Sequence, residues 1–275
     1  MQSVNPEVGI SMNAAGIATN YHDSGGNGEA VLLIHGSGPG VSAWANWRLT
    51  IPALAKNCRV IAPDMAGFGF TERSDNFEYT MDSWIAHVIA VMDSLSITQF
   101  SLVGNSFGGA IALGIAIRYP ERVVKLVLMG SVGVNFELTE GLDKVWGYTP
   151  SLQNMKEVME YFAYNQEMMT DDLIELRYRA SIQEGFQESF AAMFPVPRQQ
   201  WIDAMAYADD EIKTISCPTL ICHGREDRVI PPANSQRLFS LIPNSELHMY
   251  RHCGHWTQIE HCQSFNTLAV NFLGR

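Results

Sequence analysis

Residues 100–119 limit the possible folds of this chain more than any other stretch. An apolar run over 100–105 stops at Ser106, and a helical run over 107–119 follows until Pro120. The pattern Gly104-Asn105-Ser106-Phe107-Gly108 matches G-x-S-x-G, which between a strand and a helix is typical of a strained turn that lifts a serine hydroxyl out of a sheet. The stretch therefore predicts a strand–turn–helix unit in which Ser106 is either a candidate nucleophile or part of a tight turn.

Further apolar runs recur along the chain and indicate the fold class. They are rich in Val, Ile and Leu without strict alternation, which is typical of strands buried on both faces of a parallel sheet; they cover 30–36, 58–64, 123–130, 218–224 and 245–250. Between them, residues 81–95 place an apolar face at helical spacing: Trp84, Ile85, Val88, Val91, Met92 and Leu95. The alternation predicts an α/β fold with a mainly parallel sheet and helices on both faces, while SGGNG (24–28) indicates a hairpin or loop.

One interval breaks this alternation. Residues 134–212 contain no good strand but hold amphipathic runs over 151–164 and 170–182, with Ser151 and Thr170 as candidate N-caps. We therefore predict an α/β core formed by residues 1–133 and 213–275, and a helical lid formed by 134–212. The alternative is a helical appendage that only stabilises the core.

Length, net charge and hydropathy exclude several kinds of binding partner. The chain has 275 residues, enough for one sizeable core, and its net charge of -11 argues against nucleic acid, although a local positive patch inside a pocket remains compatible with that sum. The start lacks the features of a signal peptide and no stretch is long and apolar enough to span a membrane, so we expect a cytoplasmic protein without a membrane partner.

Cysteine usage bears on disulfides and metals. The five cysteines are odd in number and show no CxxC spacing, so free thiols are expected, without a metal or cofactor. The proximity of Cys253 to His252, His255 and His261 leaves a metal site as a minor alternative.

A serine nucleophile needs a base, and the base needs an orienting acid. In a fold of this kind the order along the chain is serine, acid, histidine. Asp227 in HGRED follows one apolar run and His255 follows the last one, with Glu226 as a rival acid. Rival bases are His252 and His261. The catalytic set predicted from order and position is Ser106, Asp227 and His255.

The loop HGSGPG (35–40) follows the first clear strand and matches an oxyanion loop. We predict that the backbone N–H groups of Ser37 and Phe107 form the oxyanion hole. His35 is expected to shape the loop through a local hydrogen bond instead of taking part in the chemistry.

With these motifs, the chain resembles the α/β-hydrolases and, more narrowly, the meta-cleavage product hydrolases of aromatic degradation. The blocks that carry the resemblance span nearly the whole chain: 35–48, 62–69, 104–109, 139–150, 175–181, 189–199, 223–227 and 253–261. The resemblance implies hydrolysis of a C–C bond in a 2-hydroxy-6-oxohexa-2,4-dienoate made by ring opening of a catechol. It also implies substrate-binding roles for Asn46, Asn105, Arg177 and Trp256, and a homodimer or larger assembly.

The resemblance is strongest to family members that act on 2-hydroxymuconic semialdehyde and release 2-hydroxypenta-2,4-dienoate and formate. A hydrolase for monoalkyl substrates, with methyl or a larger group at C6, is the nearest alternative, because one methylene in an apolar pocket changes binding by only about 1–3 kcal/mol. Two further alternatives stay open: a carboxylesterase or thioesterase on the same scaffold, and a ligand sensor that keeps the fold and acts through lid movement.

Overall fold

Eight strands form one twisted sheet in a computed structural model that describes residues 5–274. The strands are β1 (Ile10–Ala14), β2 (Ile17–Asp23), β3 (Ala30–Ile34), β4 (Arg59–Pro63), β5 (Phe100–Asn105), β6 (Val123–Met129), β7 (Thr219–Gly224) and β8 (Ser245–Tyr250). Their order is β1-β2-β4-β3-β5-β6-β7-β8, antiparallel at β1–β2 and β2–β4 and parallel elsewhere. The predicted mainly parallel sheet is confirmed.

The helices follow in chain order as α1 (Ala43–Trp47), α2 (Ile51–Leu54), α3 (Met81–Ser94), α4 (Phe107–Arg118), α5 (Glu140–Trp146), α6 (Leu152–Phe162), α7 (Asp171–Ser181), α8 (Phe186–Met193), α9 (Gln199–Met205), α10 (Asp209–Ile212), α11 (Pro232–Leu241), α12 (Thr257–Glu260) and α13 (Cys262–Leu273). A short 3-10 helix covers Gln166–Met168. Within the described residues, no helix is long and apolar enough to cross a bilayer.

Two apolar cores cover the two faces of the sheet. Successive residues of β3 point to opposite sides, so Leu32 and Ile34 pack into one core and Val31 and Leu33 into the other. Helices α3, α4 and α11 contribute to the first core, whereas α1, α2 and α13 contribute to the second. Helices on both faces explain why the inner parallel strands β3 and β5 are buried along nearly their whole length. The edge strand β8 differs, because exposed residues alternate with partly buried ones along it.

The antiparallel edge was missed by sequence analysis. β1 and β2 form a hairpin whose turn lies at Ala15 and Gly16, both in the left-handed region with φ of 52° and 87°. Residues 24–28, for which a hairpin remained possible, form the loop between β2 and β3. β1 is largely exposed and therefore lacks the apolar run that identified the buried strands.

The interval between β6 and β7 is helical, with α5–α10 in place of strands over the predicted 134–212 segment. Both predicted caps are present: Ser151 Oγ accepts from the N–H of Asn154, and Thr170 Oγ1 accepts from that of Leu173. Near the end of the interval, the Tyr207 hydroxyl donates to the carbonyl of Ala110 in α4 over 3.0 Å. This contact fastens the helical segment to the core helix that begins at Ser106.

Candidate active site

Ser106 lies in the turn between β5 and α4, with φ of 54° and ψ of -117°. Such a conformation is costly for a residue with a side chain and is maintained only by its surroundings. The flanking glycines make it possible, since a Cβ on Gly104 would lie 2.5 Å from the carbonyl oxygen of Gly108, and one on Gly108 would lie 2.3 Å from that of Ile34. The structure thus gives Ser106 the strained turn that the sequence pattern predicted.

Asp227 and His255 come together in the loops that follow β7 and β8, respectively. His255 Nδ1 lies 2.7 Å from Asp227 Oδ2. The other carboxylate oxygen, Oδ1, accepts from the N–H groups of Val229 and Ile230 at 2.8 and 2.9 Å. These bonds hold the carboxylate in one orientation, so His255 presents a fixed ring.

A second histidine supports the same carboxylate. His223 Nε2 lies 3.0 Å from Asp227 Oδ2, and its Nδ1 lies 2.7 Å from Ser235 Oγ. Burial alone would raise the pKa of Asp227, but His255 and His223 outweigh it and hold that pKa well below its usual range. Asp227 therefore stays ionised in a site where its side chain has no exposed surface. The supporting role of His223 was not predicted from sequence.

The rival residues lie elsewhere. Glu226 Oε2 accepts from the N–H of Cys253 over 3.0 Å. His252 stacks on Tyr164, and the His261 ring packs against Tyr250 with an interplanar angle of 43°. The structure therefore brings together the acid and base that sequence analysis favoured.

The loop after β3 carries the predicted oxyanion donors. Within residues 5–274, the backbone N–H groups of Ser37 and Phe107 donate to no other protein group. His35 Nε2 accepts from the N–H of Met65 at 3.0 Å, so its proton lies on Nδ1, which donates to the carbonyl of Gly36 at 2.7 Å. Burial lowers the pKa of His35 to about 4, and the neutral ring acts as a brace for the loop.

Helix α5 also contacts this loop. Trp146 Nε1 donates to Ser37 Oγ over 3.1 Å, and the Trp146 ring stacks on Phe194 at a centroid distance of 4.5 Å. Trp146 lies in one of the sequence blocks that carry the family resemblance, but nothing in its spacing indicated this contact. The position of the Ser37 hydroxyl is therefore tied to the helical segment.

Ser106 and His255 line one cavity of about 880 Å³, a volume that includes its open mouth. The predicted substrate-binding residues line the same cavity: Asn46, Asn105, Arg177 and Trp256. We call the side chains of Asn46, Arg48, Arg177 and Gln258 the polar wall. We call Leu142, Val145, Met155 and Met159, which come from α5 and α6, the apolar wall.

The polar wall holds donors with spare capacity. Asn46 Nδ2 is buried without a hydrogen-bond partner, while its Oδ1 accepts weakly from Gly36 N–H at 3.4 Å. Arg177 donates from Nη2 to the carbonyls of Gly40 and Pro39, at 2.6 and 3.3 Å, and burial lowers its pKa. A buried polar group without a partner is costly, so these groups suit an anionic ligand.

Asn105 and Trp256 have partners already. Asn105 Nδ2 donates to the carbonyl of Met129 over 3.2 Å, and Trp256 stacks on Phe162 with ring centroids 4.9 Å apart. Both side chains form part of the cavity surface without being free to move. Sequence analysis missed Arg48 and Gln258 as cavity residues. Arg48 lies two positions after Asn46, in the block 35–48 that carries the family resemblance, whereas no sequence pattern distinguished Gln258.

The helical segment 134–212 is hydrogen-bonded to the loop after β8 that carries His255, which we call the histidine loop. The carbonyl of Phe162, the last residue of α6, accepts from the N–H groups of His255 and Trp256 at 2.7 and 3.1 Å. Glu260 adds a clamp, since Oε1 accepts from Gly254 and Oε2 accepts from Tyr164 and Asn165. The loop that carries His255 and the chain at the end of α6 therefore form one hydrogen-bonded unit.

Comparison with known proteins gives one consistent match. The family model for the α/β-hydrolase fold matches residues 29–261. A 2-hydroxy-6-oxo-2,4-heptadienoate hydrolase of Pseudomonas putida F1 is 56% identical, with 99% of each chain covered. A 2-hydroxymuconate semialdehyde hydrolase of Pseudomonas sp. CF600 is also 56% identical, covering 98% of this chain and 94% of its own. A serine-to-alanine mutant of the meta-cleavage product hydrolase CumD from Pseudomonas fluorescens IP01, complexed with acetates, superposes with a TM-score of 0.97 at 58% identity over 98% of this chain and 99% of its own.

Proposed function

The chain belongs to the α/β-hydrolases and, within them, to the meta-cleavage product hydrolases, and on this basis we propose that it hydrolyses a C–C bond in 2-hydroxy-6-oxohexa-2,4-dienoates. The proposed substrate is 2-hydroxymuconic semialdehyde. With one water it yields 2-hydroxypenta-2,4-dienoate and formate. The observation that carries the proposal is one cavity that combines Ser106, the His255–Asp227 pair and an arginine-bearing polar wall.

His255 is the proposed proton carrier. Because Nδ1 donates to Asp227, the neutral ring leaves Nε2 unprotonated and able to take a proton from Ser106 or from a water. The substrate is first converted from dienol to ketone, which makes the departing fragment a stabilised dienolate. Attack on C6 then breaks the C5–C6 bond, and His255 returns its proton as that fragment leaves. If Ser106 attacks, a water activated by His255 then hydrolyses the formyl ester to release formate, and if a water assisted by Ser106 attacks, formate forms directly.

Two further sets of groups stabilise the reacting substrate in this proposal. The N–H groups of Ser37 and Phe107 stabilise the oxyanion at C6, where one donor contributes about 2.7–4 kcal/mol. Arg177, Asn46, Asn105 and Trp256 bind the carboxylate and 2-oxygen end. Spare donors at Asn46 and the charge of Arg177 support this orientation.

A monoalkyl substrate is the second candidate. The apolar wall offers two methionines beside Leu142 and Val145, and flexible methionine side chains adapt to groups of different size. One relative is named for a heptadienoate, which carries methyl at C6. Methyl and hydrogen are therefore both compatible with this wall.

The test is a side-by-side assay of ring-fission products with hydrogen, methyl or phenyl at C6, following loss of the yellow dienolate. Fastest decay with hydrogen supports the semialdehyde as the substrate, and a clear preference for methyl supports the second candidate. If the protein consumed none of the three ring-fission products, the proposed function would be contradicted. Tight stoichiometric binding without turnover would instead indicate a ligand sensor.

We make three accompanying proposals, on the helical segment, on location and partners, and on assembly. Residues 134–212 act as a lid, supported by the bonds from Phe162, Tyr164 and Asn165 to the histidine loop. Composition supports a cytoplasmic protein that needs no cofactor, no nucleic acid and no membrane. The family resemblance supports a homodimer or larger assembly.

A further inference from the structure

Arg48 places a second cation in the cavity, beside the one expected from the family resemblance. Its backbone forms the C-cap of α1, and its side chain lines the cavity together with Arg177. The only hydrogen bond of its guanidinium among the described residues runs from Nη1 to the carbonyl of Ala45 at 2.5 Å. Four of its five N–H donors are thus left for another partner.

Neither arginine is neutralised by a carboxylate in contact with it. Within residues 5–274, no acidic side chain comes within ion-pair distance of Arg48 or Arg177. By contrast Arg59, Arg122 and Arg198 each contact an aspartate. In a protein with a net charge of -11, two unpaired arginines in one cavity indicate a site for negative charge.

Electrostatic coupling shows that the two cations lie close enough to affect each other. Burial lowers the pKa of Arg177 first, Glu7 partly offsets that effect, and the positive charge of Arg48 lowers the pKa further. Glu7 lies outside the cavity surface, and its Oε2 already accepts from Ser42 Oγ at 2.5 Å. Glu7 therefore partly balances the charge of Arg177, whereas no acidic side chain within residues 5–274 forms an ion pair with Arg48.

Two buried amide atoms complete the polar wall. Asn46 Nδ2 and Gln258 Oε1 are both buried without hydrogen-bond partners, and Gln258 Nε2 donates weakly to the carbonyl of Asn46 at 3.4 Å. The free donor of Asn46 beside two cations fits a ligand with adjacent anionic oxygen groups, whereas the free acceptor of Gln258 would need a proton donor. A simple monocarboxylate would use only part of this wall.

We propose that Arg48 is a substrate-positioning residue that supplies the second positive charge of the polar wall. Through it the site selects ligands that carry an anionic 2-oxygen next to the carboxylate over ligands that carry the carboxylate alone. The inference deepens the proposed function and rests on it. Two cations favour the ligand with the 2-oxygen because a ligand without that oxygen loses the charge-assisted hydrogen bond to it.

The test is a binding ratio measured without turnover. Two ligands are compared in Ser106→Ala protein: 2-hydroxymuconic semialdehyde, followed by the absorbance of its dienolate, and hexa-2,4-dienoate, followed by competition. Adding Arg48→Gln should lower the preference for the 2-oxygen ligand by at least about tenfold, as expected for one charge-assisted hydrogen bond. The substitution should also shift the absorbance spectrum of the bound 2-hydroxymuconic semialdehyde from that of the dienolate toward that of the protonated dienol.

Control variants separate this role from a structural one. Arg179→Gln removes the same charge from the exposed face of α7, where Arg179 pairs with Glu175, and should leave the ratio unchanged. Arg48→Lys keeps the charge and should retain most of the preference. A ratio in Arg48→Gln within about twofold of its parent, in a protein with an unchanged melting temperature, would overturn the inference. The proposed function would fail separately if the wild-type protein consumed none of the ring-fission products.

Discussion

At the scale of single residues, Ser106 makes the sharpest prediction. Ser106→Ala removes the hydroxyl but leaves the turn, the His255–Asp227 pair and the polar wall in place. We expect kcat to fall by at least about 1,000-fold while the dienolate still binds, because nucleophile and base act as a unit. Single-turnover absorbance measurements check both quantities. Near-normal cleavage in this variant would remove Ser106 from the chemistry.

Gly108 tests the packing that produces the turn. In Gly108→Ala the new Cβ would lie 2.3 Å from the carbonyl oxygen of Ile34 and 2.5 Å from that of His35, both backbone atoms with little freedom to move. We expect the free energy of unfolding to fall by roughly 1–3 kcal/mol, as for other overpacked sites, together with a loss of activity. Urea unfolding measures the first effect.

Gly38 offers the matched control. A Cβ on Gly38 would lie 3.6 Å from Phe162 Cζ, an ordinary contact. Gly38→Ala should therefore change the free energy of unfolding far less than Gly108→Ala. Equal effects of the two substitutions would show that the close approach at Gly108 is not what limits the turn.

At the scale of elements, the clamp formed by Glu260 joins α12 to the chain that follows α6. Glu260→Gln places an amide NH2 where a carboxylate oxygen accepts from Gly254 or from Tyr164 and Asn165. At least one backbone N–H then faces another donor and loses its acceptor. We therefore expect the free energy of unfolding to fall by roughly 1–3 kcal/mol. Hydrogen exchange at these amides should accelerate relative to wild type. Glu121→Gln, on an exposed side chain, is the control, and identical exchange in both variants would argue against the clamp.

Sequence predicted the elements whose pattern is local. β3–β7 are largely buried on both faces and leave apolar runs, whereas β1 is mostly exposed and leaves none. The edge strand β8, which was predicted to be buried on both faces, instead alternates exposed with partly buried residues. In the site, too, only features that are local in the sequence could be predicted. The order of Ser106, Asp227 and His255 could be read along the chain, but the contacts of His223, Trp146 and Arg48 arise only when distant segments pack together.

At the scale of the whole molecule, buried histidines couple folding to pH. His87, on α3, has its Nε2 2.8 Å from Thr19 Oγ1, and burial lowers its pKa to about 4 from an ordinary value of 6.5. The unfolded chain therefore binds one more proton between these values. The contribution of His87 to stability is complete above about pH 6.5 and is lost as the pH falls toward 4.

This coupling predicts the behaviour of His87→Gln. His35 acts in the same direction as His87, and Asp64, whose pKa is raised to about 7 by burial, acts in the opposite one. Both remain in the variant, so comparison with wild type isolates His87. We expect the loss of unfolding free energy between pH 7 and pH 5 to be smaller in His87→Gln by about 2 kcal/mol. Urea unfolding at the two pH values measures this difference, and an equal loss in both proteins would contradict the assignment.

In this molecule one cavity combines Ser106, the His255–Asp227 pair and a cationic wall, and we propose that together they hydrolyse a C–C bond. The most direct measurement compares kcat/KM of the purified protein for 2-hydroxymuconic semialdehyde and for a simple p-nitrophenyl ester, with product analysis of the first reaction. We predict a higher kcat/KM for the dienoate than for the ester, and equal amounts of formate and 2-hydroxypenta-2,4-dienoate as products. Ester turnover far faster than dienoate cleavage would contradict it and indicate an esterase on the same fold.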